Sequence, residues 1–194
     1  MSAGFEVWLV RHGETEWSLS GQHTGRTDVP LTREGEAQAE ELGRRLGGRQ
    51  FARVLSSPKT RAFETCGRAG YGDVAEVTDD LLEWDYGDFE GEKTADIRKE
   101  RPGWTVWDDG VPGGETAAQV GARADRVIAE AAGAGGDVAL FAHGHVLRVL
   151  TARWLGLTPE NGRLFALSTA TLSILGHERE TRVIRLWNLG PSVE

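Results

Sequence analysis

The chain has 194 residues, of which 39% are hydrophobic and 27% are charged, and this composition excludes a disordered protein. Its 30 acidic and 22 basic residues give a formal net charge of −8, which argues against a nucleic-acid-binding protein, since such proteins carry a net basic face. A small anionic ligand remains compatible, because a pocket can be locally cationic on an acidic protein. The length predicts a single domain, residues 1–194.

The cysteine content and the apolar stretches bear on the cellular compartment. The single cysteine, Cys66, cannot form an intramolecular disulfide, so nothing points to an oxidising compartment. Met1–Val10 lacks the basic segment and the long apolar run of a secretory signal peptide. The apolar stretch Val146–Leu157 is too short to span a bilayer and is interrupted by Arg148 and Arg153. We therefore expect a soluble, cytoplasmic protein that makes no membrane contact.

The first half of the chain alternates predicted strands with predicted helices. The strands are Glu6–Val10, Phe51–Leu55 and Asp73–Val77, and the helices are Thr32–Leu46 and a segment from Ser57 to about Arg68. Thr32 is a suitable N-cap for its helix, because its hydroxyl can accept an orphan backbone N–H. Ser57 is expected to cap the next helix, with Pro58 in its first position.

The second half begins with an irregular segment. Leu81–Gly114 is rich in glycine, contains three tryptophans and has little periodicity, so we interpret it as an insertion with one short helix near Thr94–Lys99. Loops of this length are usually functional, and we expect this one to cover the active site. Regular elements then return: helices at Glu115–Ala132 and Val146–Leu155, a strand at Asp137–Ala142, and a hairpin of Thr171–Leu175 and Arg182–Trp187.

This alternation predicts an α/β fold, a three-layer sandwich in which a mostly parallel central sheet is flanked by helices. Ligands of such sheets bind beyond the carboxyl ends of the strands. The chemistry should therefore lie just after Val10, Leu55 and Ala142.

Arginine and histidine side chains follow three of the predicted strands. Arg11 and His12 follow the first strand, Arg61 comes soon after the second, and His143 follows Ala142. Beside helix N-termini, such a group forms an anion site, because helix dipoles and unpaired N–H groups add to the side-chain charge. Arginine suits a phosphate, since its planar fork binds two oxygens at once.

Five ordered motifs resemble the histidine phosphatase, or phosphoglycerate mutase-like, superfamily. They are RHGETEW at Arg11–Trp17, TGRTDVPLT at Thr24–Thr32, SSPKTRA at Ser56–Ala62, LLEWDYGDFEG at Leu81–Gly91 and AHGH at Ala142–His145. The resemblance covers nearly the whole chain in the family's order, and it implies a phosphoglycerate mutase-like fold.

Within the superfamily, the chain is most similar to the fungal sedoheptulose-1,7-bisphosphatase branch. The shared runs are Thr15–Ser18, Ser20–Gln22, Thr24–Asp28, Glu83–Gly91, Asp109–Thr116 and Phe141–His145. Ser18 departs from the mutase pattern, in which many members have asparagine.

The resemblance implies a metal-independent phosphatase that needs no cofactor and forms a phosphohistidine. His12 would be the nucleophile, and an imidazole attacks only when neutral, a state that Arg11 and Arg61 favour by charge repulsion. Arg11, Arg61 and His143 would hold the phosphoryl oxygens. Glu83 would protonate the departing alkoxide and then take a proton from the attacking water.

Other positions match ligand-contacting residues of the family: Ser18, Thr24, Gly25, Tyr86, Gly144 and His145. Thr24 fits turn chemistry equally well, and His145 fits a structural role as well as ligand contact. His143 and His145 are not expected to bind a metal, because Val138–Leu157 contains no acidic residue and the arginines repel a cation.

We therefore expect an enzyme that hydrolyses a small phosphorylated metabolite, such as a sugar phosphate or bisphosphate, as a monomer or homodimer. The alternatives are a phosphoglycerate mutase and a non-catalytic phospholigand-binding module. Mutases of the family continue the Glu83–Gly91 motif with a longer lysine-containing segment, which is absent here, and the intact site residues argue against a non-catalytic module. Candidates for holding a second phosphate are His23, Arg26, His145 and Arg98, with Arg148 ranked below them for lying a helical turn further from the strand end.

Overall fold

A six-stranded sheet flanked by helices forms the centre of the computed structural model, which describes residues 4–190. Its elements are β1 (Val7–Arg11), α1 (Glu16–Ser20), α2 (Arg33–Leu46), β2 (Arg53–Ser56), α3 (Thr60–Arg68), β3 (Ala75–Val77), α4 (Thr94–Glu100), α5 (Ala117–Ala132), β4 (Val138–Ala142), α6 (Gly144–Trp154), β5 (Leu172–Glu178) and β6 (Thr181–Leu189). The strand order is β3-β2-β4-β1-β5-β6. The first four run parallel, and the β5–β6 hairpin joins antiparallel to β1. The predicted α/β fold and the terminal hairpin are confirmed, and the hairpin makes the sheet mixed.

The central strands β1 and β4 are buried on both faces, because alternate side chains pack against different helices. Leu9 and Leu140 belong to the cluster that includes the apolar faces of α5 and α6. Val10 and Phe141 belong to the opposite cluster, with α2 and α3. Cys66 lies in this second cluster, where burial raises the pKa of its thiol to about 12.

The predicted start of α3 is wrong. The helix begins at Thr60, and its N-cap residue, Lys59, makes no side-chain cap. Ser57 lies two residues before this N-cap; its hydroxyl accepts the N–H of Lys59 at 3.3 Å and lies 2.7 Å from His143 Nε2, in the site described below. At the third strand, residues 72–74 form a 3₁₀ turn, so only Ala75–Val77 is extended.

Near the carboxyl edge of the sheet, one helix begins earlier than predicted and another was not predicted. Helix α6 begins at Gly144, two residues before the predicted start, so its first turn lies directly after β4. Helix α1, inside the RHGETEW motif, is absent from the predicted elements because it has only five residues. A capping box between Thr15 and Ser18 stabilises it, since each side chain accepts the other's backbone N–H.

The insertion Leu81–Gly114 is packed against the protein. It contains the predicted short helix, α4, and a 3₁₀ turn at Gly87–Phe89. The rings of Trp84, Trp104 and Trp107 are buried in the same cluster as α5 and α6. These contacts anchor the segment, although it has little regular structure.

Helices α2 and α5 are amphipathic and have side-chain N-caps. Helix α5, of 16 residues, begins with a capping box between Thr116 and Gln119 and buries one apolar face. Helix α2 begins after Thr32, whose hydroxyl accepts the N–H of Gly35 as predicted. Within residues 4–190, every helix is too short or too polar to cross a membrane.

Two glycines bring the loop after β1 against the first turn of α2. A Cβ at Gly13 would lie 2.3 Å from the carbonyl oxygen of Gly35, and a Cβ at Gly35 would lie 2.2 Å from that of Glu14. Neither position has room for a side chain without a backbone shift. Because Gly13 follows His12 directly, this contact fixes the backbone that carries the candidate nucleophile.

Candidate active site

A cavity of about 200 Å³ at the carboxyl edge of β1 and β4 gathers most of the predicted site residues. Those that line it are Arg11, His12, Ser18, Thr24, Glu83, Tyr86, Gly144 and His145. The wall also includes Trp17, Gln22, His23, Arg148 and Leu167. Arg61 and His143 lie buried behind this wall, so the strand-end arrangement brings all five predicted catalytic residues into one region.

Gly25 is not among the residues that line the cavity, and its contact with a ligand stays a prediction. Its N–H donates to both carboxylate oxygens of Glu90, at 2.9 and 3.0 Å. A Cβ at this position would lie 2.5 Å from the carbonyl oxygen of Trp84. The role that this geometry supports for Gly25 is close packing of the loop.

The contacts of His12 define its tautomer. Nδ1 lies 2.7 Å from the carbonyl oxygen of Gly13, which can only accept a hydrogen bond. Nδ1 therefore carries the proton, and Nε2 of the neutral ring keeps its lone pair. Burial, followed by the charges of Arg11 and Arg61, lowers the pKa of His12 well below 6.5. At neutral pH the ring is uncharged and the Nε2 lone pair is free of a proton, as a histidine nucleophile requires.

His143 packs against His12, with ring centroids 5.2 Å apart. Arg61 Nε donates to Nδ1 of His143 at 3.1 Å, so the proton of the neutral ring lies on Nε2, 2.7 Å from Ser57 Oγ. Burial, followed by the charge of Arg61, lowers the pKa of His143 well below 6.5. Contact of His143 with a phosphoryl group remains a prediction, because the side chain lies behind the cavity wall.

The guanidinium of Arg61 is inaccessible to solvent. Beyond the bond to His143, Nη1 donates to the carbonyl of Thr27 and Nη2 to that of Thr24, both at 3.0 Å. These partners carry no full negative charge, and burial lowers the pKa of Arg61. The cation therefore projects a positive potential toward His12, which favours an anion in the cavity.

Arg11 contributes a second cation at the cavity wall. Its Nη1 donates to the carbonyl of Leu167, whereas Nε is buried with no partner among the described residues. Gly144 leaves room for the guanidinium, since a Cβ there would lie 3.2 Å from Arg11 Cζ. The charge of this guanidinium and the positive end of α6 together favour an anion in the cavity.

Glu83 lines the cavity and also caps α6. Its Oε1 accepts the N–H groups of Trp84 and Val146, and its Oε2 accepts that of His145, all at 2.9 Å. The N-cap residue His143 makes no side-chain cap, so Glu83 satisfies these orphan donors from a distant segment. With a single donor, Oε2 is the oxygen that has room for a proton.

The remaining wall holds Arg148 and two aromatic pairs. The Tyr86 hydroxyl lies 2.6 Å from His145 Nδ1, and the ring of His23 lies 4.6 Å from that of Tyr86. Arg148 stacks on Trp107 at 4.7 Å. Burial, followed by the charge of Arg148, lowers the pKa of His145 well below 6.5.

The second-phosphate candidates differ in whether they line the cavity, as His23 and His145 do. Arg26 pairs with Asp85 outside the cavity, and Arg98 donates to the carbonyl of Trp104, so neither lines the cavity. Arg148 does line it. Its position one turn after Gly144 placed it low in the ranking, but this spacing puts it on the helix face that carries the site.

The two histidines of the AHGH motif have separate partners. Both ring nitrogens of His143 are engaged, with Arg61 and Ser57, and Nδ1 of His145 contacts Tyr86. In the part of the chain that the structure describes, no group of three or more histidine, cysteine, aspartate or glutamate side chains is arranged to hold a metal ion.

The chain is similar to several known proteins. The model of the histidine phosphatase superfamily (branch 1) matches residues 7–190. The chain is 43% identical to an acid phosphatase of Mycobacterium tuberculosis over 93% of this chain and 91% of that protein. It is 41% identical to a sedoheptulose 1,7-bisphosphatase of Saccharomyces cerevisiae over 77% of this chain and 67% of that protein. A solved structure of a Mycobacterium tuberculosis open reading frame product superposes with a TM-score of 0.92 at 42% identity, covering 96% of this chain and 98% of that one.

The lowered pKa of His12 predicts its protonation state in solution. In a ¹⁵N NMR titration from about pH 8 to about pH 6, we expect a neutral ring with the proton on Nδ1 throughout, because burial and two arginines disfavour the cation. His12→Ala identifies the signal by its loss. A midpoint at the ordinary value of 6.5, or a proton on Nε2, would contradict the proposed tautomer.

Proposed function

The chain belongs to branch 1 of the histidine phosphatase superfamily, and on this premise we propose that it hydrolyses small phosphomonoesters through a phosphohistidine at His12, without a metal ion. It is an enzyme of the phosphatase type, as the family and the phosphatases at 43% and 41% identity establish. The observation that carries the proposal is the neutral His12, protonated on Nδ1, beside the buried Arg61 and the half-buried Arg11.

In the first step, the Nε2 lone pair of His12 attacks phosphorus. The N–P bond forms as the bond from phosphorus to the ester oxygen breaks, and the electron pair leaves with that oxygen. The oxygen takes a proton from Oε2 of Glu83, so the alcohol departs neutral. Arg11 and Arg61 stabilise the negative charge on the phosphoryl oxygens, which is the main requirement of phosphoryl transfer.

In the second step, water replaces the alcohol. Its oxygen bonds to phosphorus and its proton goes to the Glu83 carboxylate, while the N–P bond breaks and returns its electron pair to Nε2 of His12. Inorganic phosphate leaves, and both side chains regain the state in which they began. One carboxyl group thus acts as the acid in one step and the base in the next.

The substrate class that we propose is a sugar phosphate or bisphosphate. Support comes from the relative named a sedoheptulose 1,7-bisphosphatase, at 41% identity, and from Arg148. Arg148 donates to the carbonyls of Gly162 and Arg163 and stacks on Trp107, so its charge is not paired with a carboxylate in these contacts. A second phosphate in the cavity would supply the missing negative charge.

We extend the proposal to the enzyme's setting, a cytoplasmic monomer or homodimer that binds neither nucleic acid nor membrane. The net charge of −8 disfavours binding to a phosphate backbone. The thiol of Cys66 is buried and free, as is usual for proteins of reducing compartments.

The covalent step is tested by His12→Ala. We expect loss of phosphate release from p-nitrophenyl phosphate in the presence of EDTA, because no other group supplies the nucleophile. Rapid quenching with radiolabelled substrate should trap acid-labile phosphate on the unmodified protein alone. Substantial activity of the variant would refute the phosphohistidine, and isomerisation of phosphoglycerate faster than phosphate release would identify a mutase.

The role of Glu83 is tested by Glu83→Gln, which keeps an oxygen acceptor but cannot transfer a proton. With a sugar phosphate we expect a rate loss of about 10²–10⁴-fold, the usual contribution of general acid catalysis. With p-nitrophenyl phosphate the loss in the first step should be small, because nitrophenolate leaves without a proton. Burst kinetics separates this step from hydrolysis, and equal losses with both substrates would assign the acid to another residue.

Arg148→Met tests the substrate class. We expect the ratio of kcat/KM for a sugar bisphosphate to that for its monophosphate to fall about 10- to 100-fold, the value of a hydrogen bond to a charged group. Arg153→Met is the matched control, since Arg153 lies on the same helix but pairs with Asp125 outside the cavity. An unchanged ratio in Arg148→Met would contradict the bisphosphate assignment and leave a general sugar phosphatase.

A further inference from the structure

Arg123, on α5, binds the backbone that leads into Glu83. Its Nη1 donates to the carbonyls of Asp80 and Leu82, both at 2.9 Å, and its Nη2 lies 3.4 Å from the carbonyl oxygen of Glu83. The side chain is 13% exposed. One guanidinium therefore reaches carbonyl groups on the N-terminal side of the candidate acid and at the acid itself.

Glu115 links Arg123 to the backbone on the C-terminal side of Glu83. Its carboxylate accepts Nε and Nη2 of Arg123, each at 2.8 Å, and its Oε2 also accepts the N–H of Asp85 at 3.0 Å. The backbone N–H of Glu115 donates to the Asp85 carbonyl at 2.9 Å, and its carbonyl accepts Trp84 Nε1 at 2.8 Å. The Arg123–Glu115 pair thus holds the chain before and after Glu83.

The segment needs such a support because it has no regular structure of its own. Residues 82–86 lie between two 3₁₀ turns, Asp79–Leu81 and Gly87–Phe89, with no strand or helix to position them. A planar guanidinium with five fixed donors can bind several carbonyls and a carboxylate at once, which a lysine cannot do. Arg123 also stands on α5, a long and well-capped helix of the core.

We propose that Arg123, held by Glu115, is a positioning residue that places the Glu83 carboxyl group for proton transfer. The proposal rests on the proposed function of Glu83 as acid and base. Arg123 does not line the catalytic cavity, so it acts through Glu83 and not on the substrate. Arg123 lines a separate surface pocket, which Glu83 and Glu115 also line.

Arg123→Met tests this role, since methionine keeps an apolar stem but has no donor. We expect kcat for a sugar phosphate to fall about 10- to 100-fold with little change in KM, because a displacement of about 1 Å at a catalytic group costs about 10²-fold. The first-step rate with p-nitrophenyl phosphate should change little. Arg126→Met is the matched control: Arg126 lies on the same helix and pairs with the Asp80 carboxylate, but its side chain is 60% exposed and it makes no contact with the carbonyls near Glu83. It should leave kcat unchanged.

A double variant separates positioning from general damage. In the Glu83→Gln background, Arg123→Met should cause almost no further loss, because the group that it positions can no longer transfer a proton. Multiplied losses in the double variant, or equal losses with both substrates, would overturn the proposal. Should Arg123→Met fail to fold by circular dichroism, Arg123→Lys is measured instead, with a smaller loss and the same substrate pattern expected. If the rate loss in Glu83→Gln does not depend on the leaving group, the proposed role of Glu83 as the acid is refuted. If Glu83→Gln shows the expected dependence but Arg123→Met keeps the kcat of the unmodified protein, only the positioning role of Arg123 is refuted.

Discussion

The burial of one guanidinium, that of Arg61, organises the site. An arginine keeps its charge under ordinary conditions, so its N–H groups must find acceptors within the protein. They find the carbonyls of Thr24 and Thr27 and the Nδ1 atom of His143, which ties the loop after α1 to α3 and to the end of β4. The same charge that holds these segments together disfavours a proton on His12. Burial of His12 and the charge of Arg11 act on its pKa in the same direction and more strongly, so Arg61 adds to this effect while it holds the three segments together.

The cationic residues and the carboxylate of the site are positioned in different ways. Arg11 and His12 lie at the end of a strand paired on both sides, and their backbone is fixed by the sheet. Glu83 lies in an irregular insertion, and its position depends on side-chain contacts with Arg123 and Glu115. The sheet therefore positions Arg11 and His12, whereas the Arg123–Glu115 salt bridge supports the backbone around Glu83. Loop variation in such a scaffold can change the substrate while the phosphoryl-binding edge is preserved.

Local patterns explain which features could be predicted from the sequence. Alternating strand and helix signals predict the parallel sheet, and the rule that ligands bind at strand ends places His12 and His143 together. Contacts between distant segments leave no comparable pattern. Ser57 fits a helix cap locally, but in the fold its hydroxyl meets His143, and a serine has no local signal for that choice. Arg123 is likewise an ordinary polar residue on the outer face of an amphipathic helix until the insertion packs against it. The double role of Glu83, 62 residues from the N–H of His145 to which it bonds, is equally invisible in sequence.

The capping of α6 by Glu83 has an evolutionary consequence. Many enzymes hold catalytic groups at a cost in stability, so inactive variants are often more stable than the active enzyme and accumulate readily. Here the candidate acid satisfies three backbone N–H groups, two of them in the first turn of α6. A substitution that cannot accept those bonds leaves buried donors unpaired and weakens the helix end as well as the chemistry. Selection for folding alone would therefore tend to retain a carboxylate at this position, even in a descendant released from selection for catalysis.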